Sequence, residues 1–153
     1  MQALYAFEIS GDPVEHVVET ILVGLKNNPA AYDFAKKLVQ QTITNTPDID
    51  TVIKEKVTNW DFKRIAVLDR LILRMGICEL LYFKEIPPKV SMNEAIELAK
   101  LFSTQRSGQF VNGVLDAVLN DMKAAGGLTK AGRGLYEGDG TVRVTRPKGK
   151  RAT

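Results

Sequence analysis

The sequence predicts an all-α fold: six to seven short helices in two small bundles that share a core, followed by a flexible basic tail. Three observations carry this. Before about residue 125, apolar residues recur at three- and four-residue steps, the period of one helix face. Between those stretches stand helix-starting residues, Asp, Asn or Ser with a proline or an acid close behind. No segment alternates at period two for long enough to make a strand; Val142 and Val144 alternate briefly, but basic residues and Pro147 surround them. No internal repeat of ~20–50 residues is present, which sets solenoids aside.

The elements follow in order. Met1 to about Ser10 makes barely two turns, a helix that depends on packing for its stability. Asp12 is placed as an N-cap, with Pro13 at the first helical position and Glu15 at capping-box spacing. Val14, Val17, Val18, Ile21, Leu22 and Leu25 form the stripe that follows. Asn28-Pro29 repeats the cap-then-proline signal, with Tyr32, Ala35, Leu38, Val39, Thr42 and Ile43 behind it. Pro47 and Asp48 mark the next start, with Ile49, Val52, Ile53 and Val57 as the buried face. The longest stripe, from Asp61 to about Phe83, is Ile65, Leu68, Ile72, Met75, Glu79 and Tyr82, widened by Leu71 and Cys78. Pro87-Pro88 stops it, because proline disfavours a helical residue before it. Ser91 with Glu94 then reads as a capping box before Ala95, Ile96, Ala99 and Phe102. Ser107 reads as the cap of a last helix through Phe110, Val114, Leu115, Val118, Leu119 and Met122, ended by Gly126-Gly127.

Composition excludes several classes. A chain of 153 residues can bury about 70% of its unfolded surface without a staple. One cysteine cannot pair within the chain, and one His with one Cys cannot build a His/Cys zinc site. No apolar run reaches ~18 residues, and MQALYAFEIS has no basic n-region with an apolar h-region, so neither a membrane helix nor a secretory signal is expected. A soluble cytoplasmic protein is the expectation. Charge is divided along the chain: residues 1–122 hold 13 Lys+Arg against 16 Asp+Glu, a net of −3, whereas residues 123–153 hold 8 Lys+Arg against Glu137 and Asp139, a net of +6. The latter stretch also holds 7 of the 12 glycines. Residues 1–125 therefore read as the folded domain and 126–153 as a disordered, basic, glycine-rich tail that attracts phosphate polyanions or simply aids solubility.

Catalytic chemistry is not expected. There is no phosphate loop, dinucleotide turn or nucleophile elbow. His16 reads as a surface or boundary histidine, and Cys78, on an apolar stripe, as a small buried hydrophobe. Asp116 and Asp121 are five apart on a helix and point different ways. Glu79 at a stripe position reads as a structural carboxylate that needs hydrogen bonds. Gly113 costs ~1 kcal/mol inside a helix, which predicts close approach of another backbone, the favoured reading, or of a ligand.

The stretch Val90-Ser91-Met92-Asn93-Glu94-Ala95-Ile96-Glu97-Leu98-Ala99-Lys100, followed by Phe110-Val111-Asn112-Gly113-Val114-Leu115-Asp116, resembles the bacterial transcription antitermination factor NusB family. Asp69 to Arg74 with Glu79-Leu80, Ile86 to Val90, and Gln2-Ala3-Leu4-Tyr5 resemble its other motifs, so the resemblance covers about residues 1–122. It implies two packed helical subdomains and no enzyme, and nothing in the sequence asks for a cofactor or a metal. It also implies NusE, a small-subunit ribosomal protein, as partner; boxA RNA of nascent transcripts as target; and an antitermination complex on RNA polymerase that supports ribosomal RNA synthesis. Some members of the family self-associate, so a homodimer is among the expected states.

Residue by residue, Tyr5 and Asp69 resemble the family's NusE-facing residues, an amphipathic anchor and an acidic partner for a basic protein. Against this, Tyr5 also fits the core and Asp69 a solvated helix face. Lys89, Arg106, Ser107, Gln109 and Phe110 lie near the family's RNA face: Lys89 and Arg106 for phosphates, Phe110 for stacking on a base or, equally by its stripe position, for the core. The family usually carries an Arg-rich turn before Q-A-L-Y; here Met1 stands immediately before Gln2. Either the start has been assigned late or RNA affinity comes from elsewhere, and the +6 tail is the obvious substitute. Two other readings stay open: a helical protein-binding adaptor without RNA contact, and an accessory to ribosomal RNA modification resembling the NusB-like domain of rRNA cytosine methyltransferases.

Overall fold

The computed structural model describes residues 1–57 and 62–126. The tail expected to be disordered thus lies, from residue 127 onward, outside the described residues. Among the described residues seven α-helices run in order: α1 Gln2–Ser10, α2 Val14–Ile21, α3 Pro29–Thr44, α4 Thr46–Lys56, α5 Val67–Tyr82, α6 Pro88–Phe102 and α7 Gln105–Ala124. Tight 3-10 turns cover Leu22–Leu25 and Phe62–Arg64. Helices α1, α3 and α4 contact α5, and α2 packs on α1 and α3; α6 and α7 form an antiparallel hairpin that also packs on α5 and meets α4 through α7, and one continuous apolar core joins them.

Helix α5 is the axis of this arrangement. Eleven of its sixteen residues are buried, because helices on both sides of the molecule pack against it. Its apolar character is therefore nearly all round rather than a stripe. Glu79, expected in the core, is only half-buried. Gly76 explains how α5 meets the hairpin: a Cβ there would stand 3.2 Å from Leu115 Cδ1 and 3.4 Å from Ala95 Cβ. The close approach assigned to Gly113 is not found, for Gly113 is exposed and a Cβ on it would meet nothing within 4 Å.

Several helix starts differ from expectation, for one recurring reason. Where a proline was expected at the first helical position, or as a stop, extended backbone at a proline itself holds the cap. Pro13, at φ −58° and ψ 146°, is the N-cap of α2, and the Asp12 N–H is bonded to Ser10 Oγ at 3.0 Å. Pro87, at φ −61° and ψ 140°, is the N-cap of α6, with Pro88 at its first position. Ser91 is consequently not a cap: it lies inside the first turn, 1% exposed, with its hydroxyl unpartnered in the described structure. Ser107 is not a cap either. Thr104 holds that place, its Oγ1 accepting from the Ser107 N–H at 3.0 Å. Helix α5 starts at Val67 after a separate 3-10 turn, later than the expected Asp61, which itself lies outside the described residues. Asn28 does cap α3 as expected, accepting from the Ala31 N–H at 3.2 Å.

Polar links tie the first half of the chain to α5. Arg74, though buried, forms a fork on Asp50 of α4, Nε–Oδ1 at 2.7 Å and Nη2–Oδ2 at 2.9 Å, and its Nη1 lies 3.4 Å from Glu8 Oε1 of α1. Arg70 Nη2 stands 3.9 Å from Glu8 Oε2. On the far side, Lys56 pairs with Asp121 and so joins α4 to α7.

Candidate protein and RNA interfaces

Two neighbouring surfaces hold the residues of interest. The first lies at the seam of α1, the start of α5 and the α6–α7 turn. Tyr5 is 43% exposed there, which places it on the surface rather than in the core. It borders a groove of about 450 Å³ that Met1, Gln2, Ala66, Val67, Phe102 and Ser103 also line. A second groove, of about 520 Å³, shares Met1, Gln2 and Phe102 with it and runs toward Leu25 and Leu38. Tyr5 therefore presents a ring and a hydroxyl at the edge of an apolar depression, the arrangement that suits an amphipathic anchor.

Asp69 is not the solvated acid that its sequence position allowed. It is 8% exposed. Its Oδ2 accepts from the Ser107 hydroxyl at 3.0 Å, and its Oδ1 has no partner in the described structure. Ser107 has one hydroxyl proton and donates it to the carboxylate, so in its other two contacts, with Ser103 Oγ at 2.8 Å and Thr104 Oγ1 at 3.3 Å, its oxygen accepts. A carboxylate on α5 is thus held by a short hydroxyl relay at the start of α7. Burial of a half-satisfied carboxylate carries a cost, and its unpartnered oxygen is closed to solvent.

The second surface is the first turn of α7. Arg106 and Gln109 are exposed on it. Phe110 is half-buried and packs on the core. Ser107, between them, is buried and committed to Asp69. Lys89 is exposed but stands apart. It opens α6, whereas Arg106 opens α7, and the two helices fold back through the two residues Ser103 and Thr104. At ~1.5 Å rise per residue, Lys89 lies ~20 Å along the hairpin from Arg106. The structure therefore brings Arg106, Ser107, Gln109 and Phe110 together and leaves Lys89 at the opposite end.

Lys100 is a residue that sequence reasoning missed. Gly108 is buried, and a Cβ there would come within 2.9 Å of Lys100 Cγ, so the lysine stem lies across the bare glycine. Its ammonium stays partly exposed, 3.8 Å from Glu97, on the same end of the hairpin as Arg106. The only signal in the sequence is a glycine directly after the serine that reads as a helix cap, eight residues beyond a lysine. That spacing has meaning only once the hairpin is known.

Other titratable groups offer no chemistry. His16 is exposed. Cys78 is fully buried, and burial pushes its thiol up to about 11, despite a hydrogen bond with Thr42. Among the described residues no group of three or more His, Cys, Asp or Glu could hold a metal ion, and no helix is long and apolar enough to cross a membrane.

Residues 1–120 match the model of the NusB family. A transcription antitermination protein NusB of Salinibacter ruber is 47% identical over 136 residues, covering 88% of this chain and 85% of that protein. One from Chloroherpeton thalassium is 44% identical over 138 residues, 90% of this chain; the match spans only 65% of that relative's length. Among solved structures, a crystal structure of antitermination factors NusB and NusE in complex with dsRNA contains a chain 30% identical, with a TM-score of 0.68 over 77% of this chain and 88% of that one.

Proposed function

The chain belongs to the NusB family of transcription antitermination proteins, a non-enzymatic family, and from that premise we propose that it acts with NusE on boxA RNA of nascent transcripts. In this reading it joins the antitermination complex on RNA polymerase, in the cytoplasm, and suppresses termination in ribosomal RNA synthesis. The observation that carries the reading is the Ser107–Asp69 bond at 3.0 Å. It fixes the acidic residue of the proposed NusE face to the helix turn that exposes Arg106 and Gln109 to RNA. Tyr5 and the groove beside it receive an apolar side chain of NusE, and Asp69, held beneath the same face, contributes negative charge to it. Arg106 and Lys100 meet phosphates at one end of the hairpin and Lys89 at the other, with Phe110 partly available to a base. The likeness to a chain solved with NusE and dsRNA supports the pairing of these two partners.

Fluorescence anisotropy tests this, with labelled boxA RNA, a scrambled control, and NusE present or absent across a salt series. Sequence-selective binding that NusE strengthens is the expected result. Ser107→Ala is expected to weaken the NusE-dependent part, and Arg106→Ala the salt-dependent part. Equal binding of both RNAs at ~150 mM salt, indifferent to NusE, sinks the proposal. Residues 127–153, with their excess of Lys and Arg, supply non-selective phosphate attraction in this reading. Removing them should flatten the salt slope and leave selectivity in place.

A further inference from the structure

The proposed NusE face is composite: Tyr5 comes from α1 and Asp69 from α5. Its geometry therefore depends on how firmly α1 is seated. Packing seats it only in part, through Ala3 and Leu4 with Ala6 and Phe7 half-buried against the core. Only Ala3 and Leu4 of its nine residues are buried, and no side chain caps its start. A two-turn helix has no stability of its own.

Beside this apolar contact, charge crosses the seam to α5. Glu8 is one turn beyond Tyr5 on α1, and its two carboxylate oxygens lie 3.4 Å from Arg74 and 3.9 Å from Arg70. Arg70 directly follows Asp69 in the chain. Its own guanidinium is held by the Ile65 carbonyl at 3.0 Å and stands over the Phe62 ring at 5.6 Å. Arg74 is anchored more firmly, by its fork on Asp50. The two arginines are thus pre-positioned by groups that have nothing to do with α1, and they offer Glu8 a fixed docking point. The two paired arginines are also spoken for, so they add no phosphate contacts near α1.

We infer that the Glu8–Arg70–Arg74–Asp50 cluster is the positioning device of the docking face: it sets where Tyr5 stands relative to Asp69. This rests on the reading of Tyr5 and Asp69 as the NusE face. Glu8 acts through Tyr5 and does not itself meet the partner. The pairs are longer than ideal and Glu8 is partly exposed, so the effect on binding is modest, and the effect on global stability is smaller still.

The test is a double-mutant cycle on the full chain, with NusE titrated against Glu8→Gln, Tyr5→Ala and the pair, together with amide hydrogen exchange of residues 3–9. Glu8→Gln is expected to weaken NusE binding about threefold and to speed exchange in α1 alone, with the melting temperature nearly unchanged. In the Tyr5→Ala background it should cost nothing further. Additive losses would mean that Glu8 touches the partner itself, and they overturn the inference. So does unchanged α1 exchange in Glu8→Gln. Full-strength NusE binding by Tyr5→Ala overturns the docking face instead; the exchange measurement then still decides whether the cluster seats α1.

Discussion

Helices α1 and α5 are neighbours held by different physics. α5 buries eleven of sixteen residues and is gripped from both sides by apolar contacts. α1 buries two of nine and meets α5 across a seam of charged side chains. Apolar burial is non-directional and strong, so α5 forms the fixed frame. Ion pairs are directional and weak, so α1 is oriented rather than clamped. The residues proposed to meet NusE come one from each, a fixed acid and an adjustable aromatic.

The largest effect expected is on the frame. Ile72 is wholly buried, and Ile72→Ala should cost about 2–5 kcal/mol in denaturant unfolding, with all seven helices lost together. A loss confined to the α6–α7 hairpin would show that the shared core is two cores. Next comes the seam: Arg74→Met strands the half-buried Asp50 and should cost about 3 kcal/mol. Combining it with Asp50→Leu should recover much of that, since the penalty belongs to the orphaned charge. Smaller still is a pair of glycine exchanges with opposite signs. Gly113→Ala, in open space, should stabilise by about 0.5–1 kcal/mol. Gly76→Ala, facing Leu115 at 3.2 Å, should instead destabilise in the same assay. A further effect appears only in alkali. The Cys78 thiol titrates at about 11 when folded against an ordinary 9.0, so the unfolded chain gives up its proton first. Stability should be level below pH ~9 and fall as pH rises toward the folded value. Burial also raises the Tyr82 phenol, which steepens the fall at its upper end. Cys78→Ala should flatten the earlier part.

The helical periodicity of the chain made its architecture readable, because each amphipathic stripe reports its own packing. Leu38, Ile49, Ile53, Ile72, Leu115 and Val118 all reach the core as expected. The ends of helices were less readable. Ser91 and Ser107 carry the composition of caps but sit a turn inside their helices, because Pro87 and Thr104 adopt the extended backbone first. The site was legible in part. Tyr5, Arg106 and Gln109 reach the surface. That Asp69 is buried against Ser107, and that Lys100 lies over Gly108, depends on contacts 38 residues apart in one case and on a tight turn in the other. Neither leaves a periodic trace. Gly113 misled because an interior glycine has two explanations, close packing or mere tolerance, and the sequence does not separate them.

The α6–α7 hairpin has one more consequence. Its length makes it a ruler. Any RNA strand touching both Lys89 and Arg106 must cover ~20 Å, the axial rise of α6. At ~3.4 Å per phosphate in a stacked strand, that is roughly six nucleotides. In the proposed function a shorter oligonucleotide would engage one end only, either Lys89 or Arg106 with Lys100. On that proposal, the distance between two helix starts would sort single strands by length before any base is read.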